Sequence, residues 1–276
     1  MVVPVDEQER LAGPTTLAID IGGTGLKASV LDADGGKIVD RVRAKTPYPC
    51  PPRVLIRALD ELTHQLPPWD RVSVGFPGFV RAGRVLTAPN LSTKAGPGTA
   101  LSRKLVKAWG GFPLGAELEG RLGKPTRLAN DADMHGLAVI RGAGLELVLT
   151  LGTGLGTAVF LEGSPSPHLE LALMPFRGRG TFQDQLGNRT RRRIGNRRWS
   201  NRVLAAVEMF DALLHIDRLY VGGGNAKKLT VDLGHRVELV DNAAGIVGGI
   251  KLWELDVPLG LADRKRERRD HPVAHA

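Results

Sequence analysis

The chain has 276 residues, of which 42% are hydrophobic and 24% charged, a balance typical of a soluble globular protein large enough for two lobes. A single cysteine, Cys50, excludes an internal disulfide framework and an all-cysteine metal cluster. The N-terminal residues lack a secretory signal and no window approaches about 18 uninterrupted apolar residues, so we expect a cytoplasmic protein without a membrane partner. The net charge of +9 favours anionic partners such as nucleic acid or polyphosphate.

Two strands joined by a glycine turn occur twice along the chain. The first hairpin, LAIDIGGTGLKASVLDADG, begins at Leu17, and the second, LVLTLGTGLGTAVFLEG, begins at Leu147. Each apolar run has the length of a buried strand, and each turn is rich in glycine. This internal repeat predicts a duplicated two-lobed α/β architecture, in which each lobe presents a glycine hairpin to a shared cleft.

The remaining segments divide the chain into lobes. Further helices are predicted at 54–65, 101–108, 114–122, 200–214 and 243–252, and further strands at 72–75, 126–129, 219–221 and 237–240. We expect a flexible N-terminus at 1–16, a small lobe at 17–129, a large lobe at 130–252 and a disordered tail at 253–276, with the last helix able to pack back on the small lobe.

The two glycine turns are candidate phosphate cradles. Glycines allow backbone N–H groups to converge on an anion, and threonine adds a hydroxyl donor. The candidate phosphate or nucleotide ligands are Gly22, Gly23, Thr24, Lys27, Gly152, Thr153 and Gly154. The alternative is a pair of tight hairpins that only need glycine for their geometry. Asp20 precedes the first turn, where it either binds Mg²⁺ or starts the turn.

A strand end followed by NDAD carries the candidate catalytic carboxylate. The alternatives are a helix N-cap, formed by Asp131 or Asn130, and a general base at Asp131 that accepts a hydroxyl proton. Its neighbour Asn130 can donate to and accept from ligand hydroxyls, and so can Asn90 in the loop 76–98. We expect Asp133 and His135 to lie on the helix surface.

Two later segments also suggest ligand contacts. Glu170 interrupts the apolar run HLELALMPF, where it is either a strand-edge residue facing solvent or a carboxylate held in a dry pocket to bind a polar ligand. A strand then ends in the triple glycine of Gly222, Gly223 and Gly224, which permits a flat ligand such as adenine to lie on the backbone.

Residues 176–202 contain nine arginines and one acidic residue, Asp184. Arginine forks match phosphate oxygens, so this stretch is a candidate groove for a polyanion; the alternative is a solvated basic loop. A nucleic-acid-binding face would place aromatic residues among the arginines, and none lies in the densest arginine run, so nucleic acid is the weakest of the partner hypotheses.

Together, the motifs resemble the ROK family of sugar kinases, which has the actin/hexokinase-like (duplicated ribonuclease-H-like) fold. DIGGTGLK at 20–27 and LTLGTGLGTAVFLEG at 149–163 resemble the two phosphate motifs, and LYVGGGNAKK at 219–228 resembles the adenosine motif. NDAD at 130–133 and DNAAGIVGG at 241–249 resemble the two connecting motifs. DIGGTGLK is most similar to the polyphosphate/ATP glucokinase branch of the family.

The resemblance implies an enzyme that transfers a phosphoryl group from ATP or polyphosphate to the 6-hydroxyl of a hexose, most simply glucose. It implies Asp131 as the base, Mg²⁺ placed with the help of Asp20, and a homodimer. The residues that it implies as sugar ligands are Asn90, Asn130 and Glu170.

Two departures from the family pattern stand out. With Cys50 as its one cysteine, the chain cannot build the family's cysteine zinc cluster, so we expect no structural zinc. The family pattern E-x-G-H reads here Glu170-Leu171-Ala172-Leu173, so a leucine replaces the sugar-binding histidine. This leaves open a second hypothesis, a kinase-derived sugar- or nucleotide-binding protein with weak or altered catalysis.

Overall fold

The computed structural model describes residues 13–240 and 244–255, of which residues 244–247 are described by their backbone alone. Two five-stranded sheets form its framework. The strands are β1 (Thr16–Ile21), β2 (Gly25–Leu31), β3 (Val42–Lys45), β4 (Arg71–Phe76), β5 (Val80–Arg81), β6 (Arg84–Val85), β7 (Thr126–Asn130), β8 (Leu145–Leu151), β9 (Leu155–Leu161), β10 (Ser164–Pro165), β11 (Arg218–Gly222) and β12 (Val237–Leu239).

Helices in the described part of the chain connect and flank these strands. They are α1 (Pro52–Thr63), α2 (Arg103–Trp109), α3 (Leu114–Leu122), α4 (Asp131–Leu137), α5 (Phe182–Leu186), α6 (Asn188–Ile194), α7 (Asn196–Leu214) and α8 (Ala244–Lys251). Short 3₁₀ turns occur at Leu171–Leu173 and Ala226–Lys228. None of these helices is both long enough and apolar enough to cross a membrane.

The two sheets share one topology. The first has the order β3-β2-β1-β4-β7 and the second the order β10-β9-β8-β11-β12. In both, an antiparallel hairpin that turns on glycine precedes a parallel strand on the far side of the hairpin's first strand. Each sheet has its own apolar core, with Trp109 fully buried in the first and Trp199 fully buried in the second. The repeat in the sequence is therefore a repeat in the fold.

Helices α4 and α8 lie between these two cores. Strand β7 runs directly into α4, and α8 packs against α4 and against strands β1 and β4 of the first sheet. Close approach depends on glycine, because a Cβ at Gly248 would collide with the carbonyl oxygen of Met134 in α4. A Cβ at Gly249 would lie 3.1 Å from the Ser73 side chain in β4.

Regular structure occurs in the predicted loop 76–98 and in the arginine-rich stretch, for which a basic loop is one of the two alternatives. The small hairpin β5–β6 lies within residues 76–98. The arginine-rich stretch is mostly helical, comprising α5, α6 and the start of α7, so its description as a basic loop is wrong. A capping box at Thr181 and Asp184 starts α5, and Gly187 separates α5 from α6.

We predict that Gly248→Ala lowers the free energy of unfolding by about 1–3 kcal/mol, because the added methyl group must push α8 away from α4. Chemical denaturation monitored by circular dichroism measures the change. The matched control is Gly120→Ala in α3, where a Cβ meets nothing within 4 Å. Alanine there raises stability by about 0.5–1 kcal/mol through helix propensity. Equal effects at both positions would contradict the packing role of Gly248.

Candidate active site

The first glycine turn is fastened to the loop that carries Asn90. The Gly22 N–H donates to the Gly25 carbonyl at 2.9 Å, and the Thr46 hydroxyl donates to the Gly22 carbonyl at 2.6 Å. The Tyr48 hydroxyl lies 2.7 Å from the Gly23 carbonyl and 3.0 Å from the Asn90 carbonyl. A Cβ at Gly23 would come within 3.1 Å of the Asn90 side chain. The candidate phosphate turn and a candidate sugar ligand are therefore in contact.

Beside this turn, Asp20 forms an ion pair with Lys27 across the β1–β2 hairpin. The carboxylate and the ammonium lie 2.7 Å apart, and about a third of each side chain is exposed. The register of the hairpin pairs these two residues directly, so both side chains leave the same face of the sheet. Asp20 and Lys27 together provide one carboxylate and one cation next to the turn.

At the junction of β7 and α4, two predicted ligands follow one another. The Asn130 side chain caps α4, because its Oδ1 accepts the Ala132 N–H at 2.7 Å and its Nδ2 donates to the Gly78 carbonyl at 3.0 Å. Asp131 Oδ1 also accepts the Ala132 N–H, at 2.9 Å. The cap is therefore Asn130, and the Asp131 carboxylate is held at the start of the helix.

The pKa of Asp131 is raised to about 7. Solvent reaches part of this residue, but desolvation of its carboxylate by the surrounding protein is the largest cause of the shift. The negative charges of Asp20 and Asp133 raise the pKa further, while the Ala132 N–H and His168 lower it. A carboxyl group with this pKa changes its protonation state near neutral pH.

The expectation that Asp133 and His135 lie on the helix surface is wrong, since both are buried. Helix α4 is enclosed by both sheets and α8, so it has little solvent-facing surface. Asp133 binds the ring of His168, whose Nδ1 lies 3.0 Å from Oδ1. The Nε2 of His135 has no partner among the described residues, and its burial lowers the pKa of the imidazole.

His168 is a residue that sequence reasoning missed. It is 8% exposed, and it connects Asp133 to the predicted sugar ligand Glu170, whose Oε1 lies 3.6 Å from Nε2. The signal available in the sequence was its spacing, two residues before Glu170 in an apolar run. Glu170 itself is half-buried, immediately before the 3₁₀ turn that contains Leu173. The Leu173 side chain is 57% exposed and offers no hydrogen bond.

Three predicted motifs meet at the second glycine turn. The Gly152 N–H donates to the Gly154 carbonyl at 3.0 Å, which closes the turn. The Gly152 carbonyl accepts from the Asn188 N–H at 3.1 Å and from Asn225 Nδ2 at 2.9 Å. The start of α6 and the segment after the triple glycine are thereby tied to the turn that contains Thr153.

Close approach of neighbouring backbone and side chains explains why glycine occupies the triple-glycine segment. Gly223 has a φ of +91°, and a Cβ there would collide with the backbone of Leu151. A Cβ at Gly222 would lie 2.9 Å from Nε2 of His135. The absence of side chains thus lets β11 pass close to the end of β8 and to α4, whether or not a ligand is bound.

The arginine-rich helices carry a concentrated positive charge. In the described part of the chain, none of the nine arginines of residues 176–202 forms an ion pair with a carboxylate. Arg191 is held by Asn188 and Asn196, and Arg202 by Gln185. The exposed arginines are Arg177, Arg179, Arg189, Arg192, Arg193, Arg197 and Arg198.

Comparisons with known proteins identify relatives of this chain. The sequence model of the ROK family matches residues 16–167 and ends just before the segment with His168 and Glu170. A polyphosphate glucokinase of Mycobacterium tuberculosis is 29% identical over 265 residues, which cover 88% of this chain and 94% of the relative. An N-acetylmannosamine kinase of Escherichia coli is 35% identical over 154 residues, which cover 54% of this chain and 48% of the relative.

Solved structures agree with the sequence relatives. The inorganic polyphosphate/ATP-glucomannokinase of Arthrobacter sp. strain KM is 29% identical, has a TM-score of 0.73, and the match covers 86% of this chain and 97% of that one. A ROK family glucokinase of Streptomyces griseus, in complex with glucose and AMPPNP, is 18% identical with a TM-score of 0.68 over 86% and 98% of the two chains. The second match shows the fold alone.

The fold and the relatives define the class of protein as a hexokinase-type kinase with the actin/hexokinase-like architecture. Within that class, the chain belongs to the ROK family. The family and the fold that the motifs predicted are therefore confirmed.

We predict that Asp20→Asn lowers the pKa of the Asp131 carboxyl group below its wild-type value of about 7, because it removes a negative charge that favours the protonated form. Carboxyl-detected NMR titration measures both values directly. Asp34→Asn, in the turn that follows β2, is the control and leaves the titration of Asp131 unchanged. An Asp131 pKa that does not move in Asp20→Asn would contradict the coupling.

Proposed function

We propose that this protein transfers a phosphoryl group from ATP or inorganic polyphosphate to the 6-hydroxyl of a hexose, with glucose as the first candidate. The observation that carries the proposal is the Asp131 carboxylate, fixed at the start of α4 with a pKa of about 7 beside the first glycine turn and Asp20. A general base is most effective when its pKa lies near the working pH. The names of the relatives, polyphosphate glucokinase and glucomannokinase, support the choice of substrates.

In the proposed reaction, Asp131 accepts the proton of the sugar 6-hydroxyl as the oxygen forms a bond to the transferred phosphorus. The bond from that phosphorus to the bridging oxygen breaks, and the donor leaves as ADP or as polyphosphate shorter by one unit. Asn90, Asn130 and Glu170 orient the sugar, and the two glycine turns hold the donor phosphates through backbone N–H groups. Phosphoryl transfer depends mainly on such positioning and charge neutralisation.

The described residues fit a Mg²⁺ ion that is bound mainly by the phosphates of ATP or polyphosphate. They contain no cluster of three or more His, Cys, Asp or Glu side chains suited to a metal. Mg²⁺ in kinases is held by one or two carboxylates together with substrate phosphates and water. Asp20, half-exposed beside the first turn, is the carboxylate that this requires, and Lys27 adds a positive charge. When bound, the ion neutralises charge on the transferred group.

The arginine-rich helices support polyphosphate as a donor. Helix α6 begins at Asn188, which is bonded to the second glycine turn, so its arginines extend away from a candidate phosphate site. Their guanidinium groups have no carboxylate partners among the described residues. A long polyanion binds such a surface through many charge-assisted hydrogen bonds, whereas ATP occupies its inner end alone.

We predict that Asp131→Asn lowers kcat with glucose at least about 100-fold while the melting temperature stays within a few degrees of wild type, since an amide cannot accept the proton. In the wild type, kcat/KM rises with pH through about 7, because the deprotonated form of Asp131 is the active one. A coupled assay that detects glucose 6-phosphate, run with ATP and with polyphosphate as donor, measures the kcat of the variant and the pH dependence of kcat/KM in the wild type.

The control is Asp34→Asn, whose turnover and pH profile match wild type. Wild-type protein that phosphorylates no hexose with either donor would refute the proposed function. Turnover in Asp131→Asn equal to that of wild type would refute the assignment of the base alone.

We predict that changing Arg192, Arg193, Arg197 and Arg198 together to Gln raises KM for polyphosphate about tenfold or more and leaves KM for ATP within about twofold, because the long polyanion loses its cationic contacts. Steady-state kinetics at low and physiological ionic strength measures the effect. The control changes Arg53, Arg57, Arg103 and Lys104 to Gln, which removes the same charge from exposed positions on α1 and α2. An equal effect in the control would indicate net charge rather than a groove.

A further inference from the structure

The ring of His168 is fixed at one nitrogen. Its Nδ1 lies 2.9 Å and 3.0 Å from the two carboxylate oxygens of Asp133. Asp133 lies in α4, two residues after the candidate base Asp131. Phe79 packs edge-on against the imidazole at 5.2 Å between ring centroids. Both side chains of the pair are 5% exposed. The ring therefore cannot turn without breaking a buried ion pair.

The other nitrogen of His168 points toward Glu170. Nε2 is buried, has no hydrogen-bond partner within the described residues, and lies 3.6 Å from Glu170 Oε1. Burial by itself lowers the pKa of His168, but the hydrogen bond to Asp133 and the negative charges of Asp133 and Glu170 outweigh it and raise the pKa to about 9. At neutral pH the ring is thus an imidazolium, and its Nε2–H is a donor aimed at one carboxylate.

No other donor in the segment is placed to orient Glu170. Its own neighbours, Leu169 and Leu171, are apolar, and Leu173 is apolar and exposed at the place where the family pattern has histidine. A carboxylate that must accept hydrogen bonds from ligand hydroxyls needs a fixed orientation, since each mobile rotamer reduces the fraction ready to bind. His168 provides that orientation, and its anchor Asp133 lies on the same helix as Asp131.

We propose that His168 is a positioning residue of the acceptor-sugar site: Asp133 anchors its ring, and its Nε2–H holds the Glu170 carboxylate in the orientation that accepts hydroxyl hydrogen bonds. The proposal rests on the proposed function for the identity of the ligand. Asp133, His168 and Glu170 then form one connected unit. In this unit the histidine acts through the glutamate and takes no part in the chemical reaction. Sugar affinity, and not the phosphoryl-transfer step, is what the unit controls.

Two substitutions at His168 separate positioning from packing. Asparagine places its amide near Nδ1 and keeps the contact with Asp133, whereas glutamine places its amide near Nε2 and keeps a donor toward Glu170. In assays well above pH 7, where Asp131 is deprotonated, we expect His168→Asn to raise KM for the sugar about tenfold or more with kcat and donor KM within about twofold, and His168→Gln to raise KM only a few-fold. His64→Asn, at an exposed position after α1, is the control and matches wild type.

A double-mutant cycle tests whether the effect passes through Glu170. In a Glu170→Gln background, His168→Asn adds less than about twofold to KM for the sugar, because the group that it positions has been changed. Equal sugar KM in wild type and His168→Asn would overturn the proposal, and so would an undiminished effect of His168→Asn in the Glu170→Gln background.

NMR of the imidazole nitrogens tests the unit without requiring turnover or any substitution at His168. In the wild type both ring nitrogens carry protons at pH 7, the pKa falls in Glu170→Gln, and glucose shifts the Nε2 signal. A neutral ring at pH 7, or a pKa unchanged in Glu170→Gln, would overturn the proposal. Absence of hexose phosphorylation by the wild type, with these NMR results intact, would refute the proposed function and not the coupling of His168 to Glu170.

Discussion

The structure of the site depends on one hydrogen bond, from the Ala132 N–H to the Asn130 side chain. It ends strand β7 and starts helix α4, and so it fixes the direction in which the chain leaves the first sheet. Asn130 also holds the Gly78 carbonyl, which links the cap to the loop after β4. Asp131 and Asp133 follow within the first turn of α4, and their positions are therefore set by this cap. A helix of only seven residues needs such support, because its own hydrogen bonds are few.

The charges around α4 are arranged in an alternating series. Asp20 is paired with Lys27, Asp133 is paired with His168, and Glu170 lies on the other side of that imidazolium. Asp131 lies near the negative ends of both pairs and has no cation of its own in hydrogen-bond contact among the described residues. Without a paired cation, and with the charges of Asp20 and Asp133 nearby, the desolvated Asp131 carboxyl group has its pKa raised to about 7.

Much of the fold could be predicted from the sequence, since its determinants are local. The two glycine hairpins have apolar strands of the right length on both sides, and their repetition indicates the duplicated architecture. Boundaries agree closely where apolar spacing is regular, as for Leu114–Leu122. The helical arginine stretch could not be predicted with the same rule, because a short helix such as α6 depends on packing against α7 rather than on an apolar stripe.

The candidate site was only partly predictable for a different reason. Glycine turns, Asp131 and Glu170 lie in motifs whose composition indicates their chemistry. His168 and Asp133 lie 35 residues apart, and their pairing arises only when α4 and the segment after β10 pack together. Burial of Asp133 and His135 was equally invisible, because a helix covered on several sides has no periodic polar face to distinguish it from one on the surface.

The Tyr48 hydroxyl, shared between the carbonyls of Gly23 and Asn90, has a consequence for the order of the first glycine turn. It makes the first phosphate turn and the Asn90 loop one rigid body, with Gly23 in van der Waals contact with Asn90. In the proposed reaction, the donor phosphates at the turn and the sugar at Asn90 would therefore be held by one ordered unit. Under the proposed function, the donor and the sugar would then bind to a site that folding has already ordered, so less conformational entropy is lost when they bind.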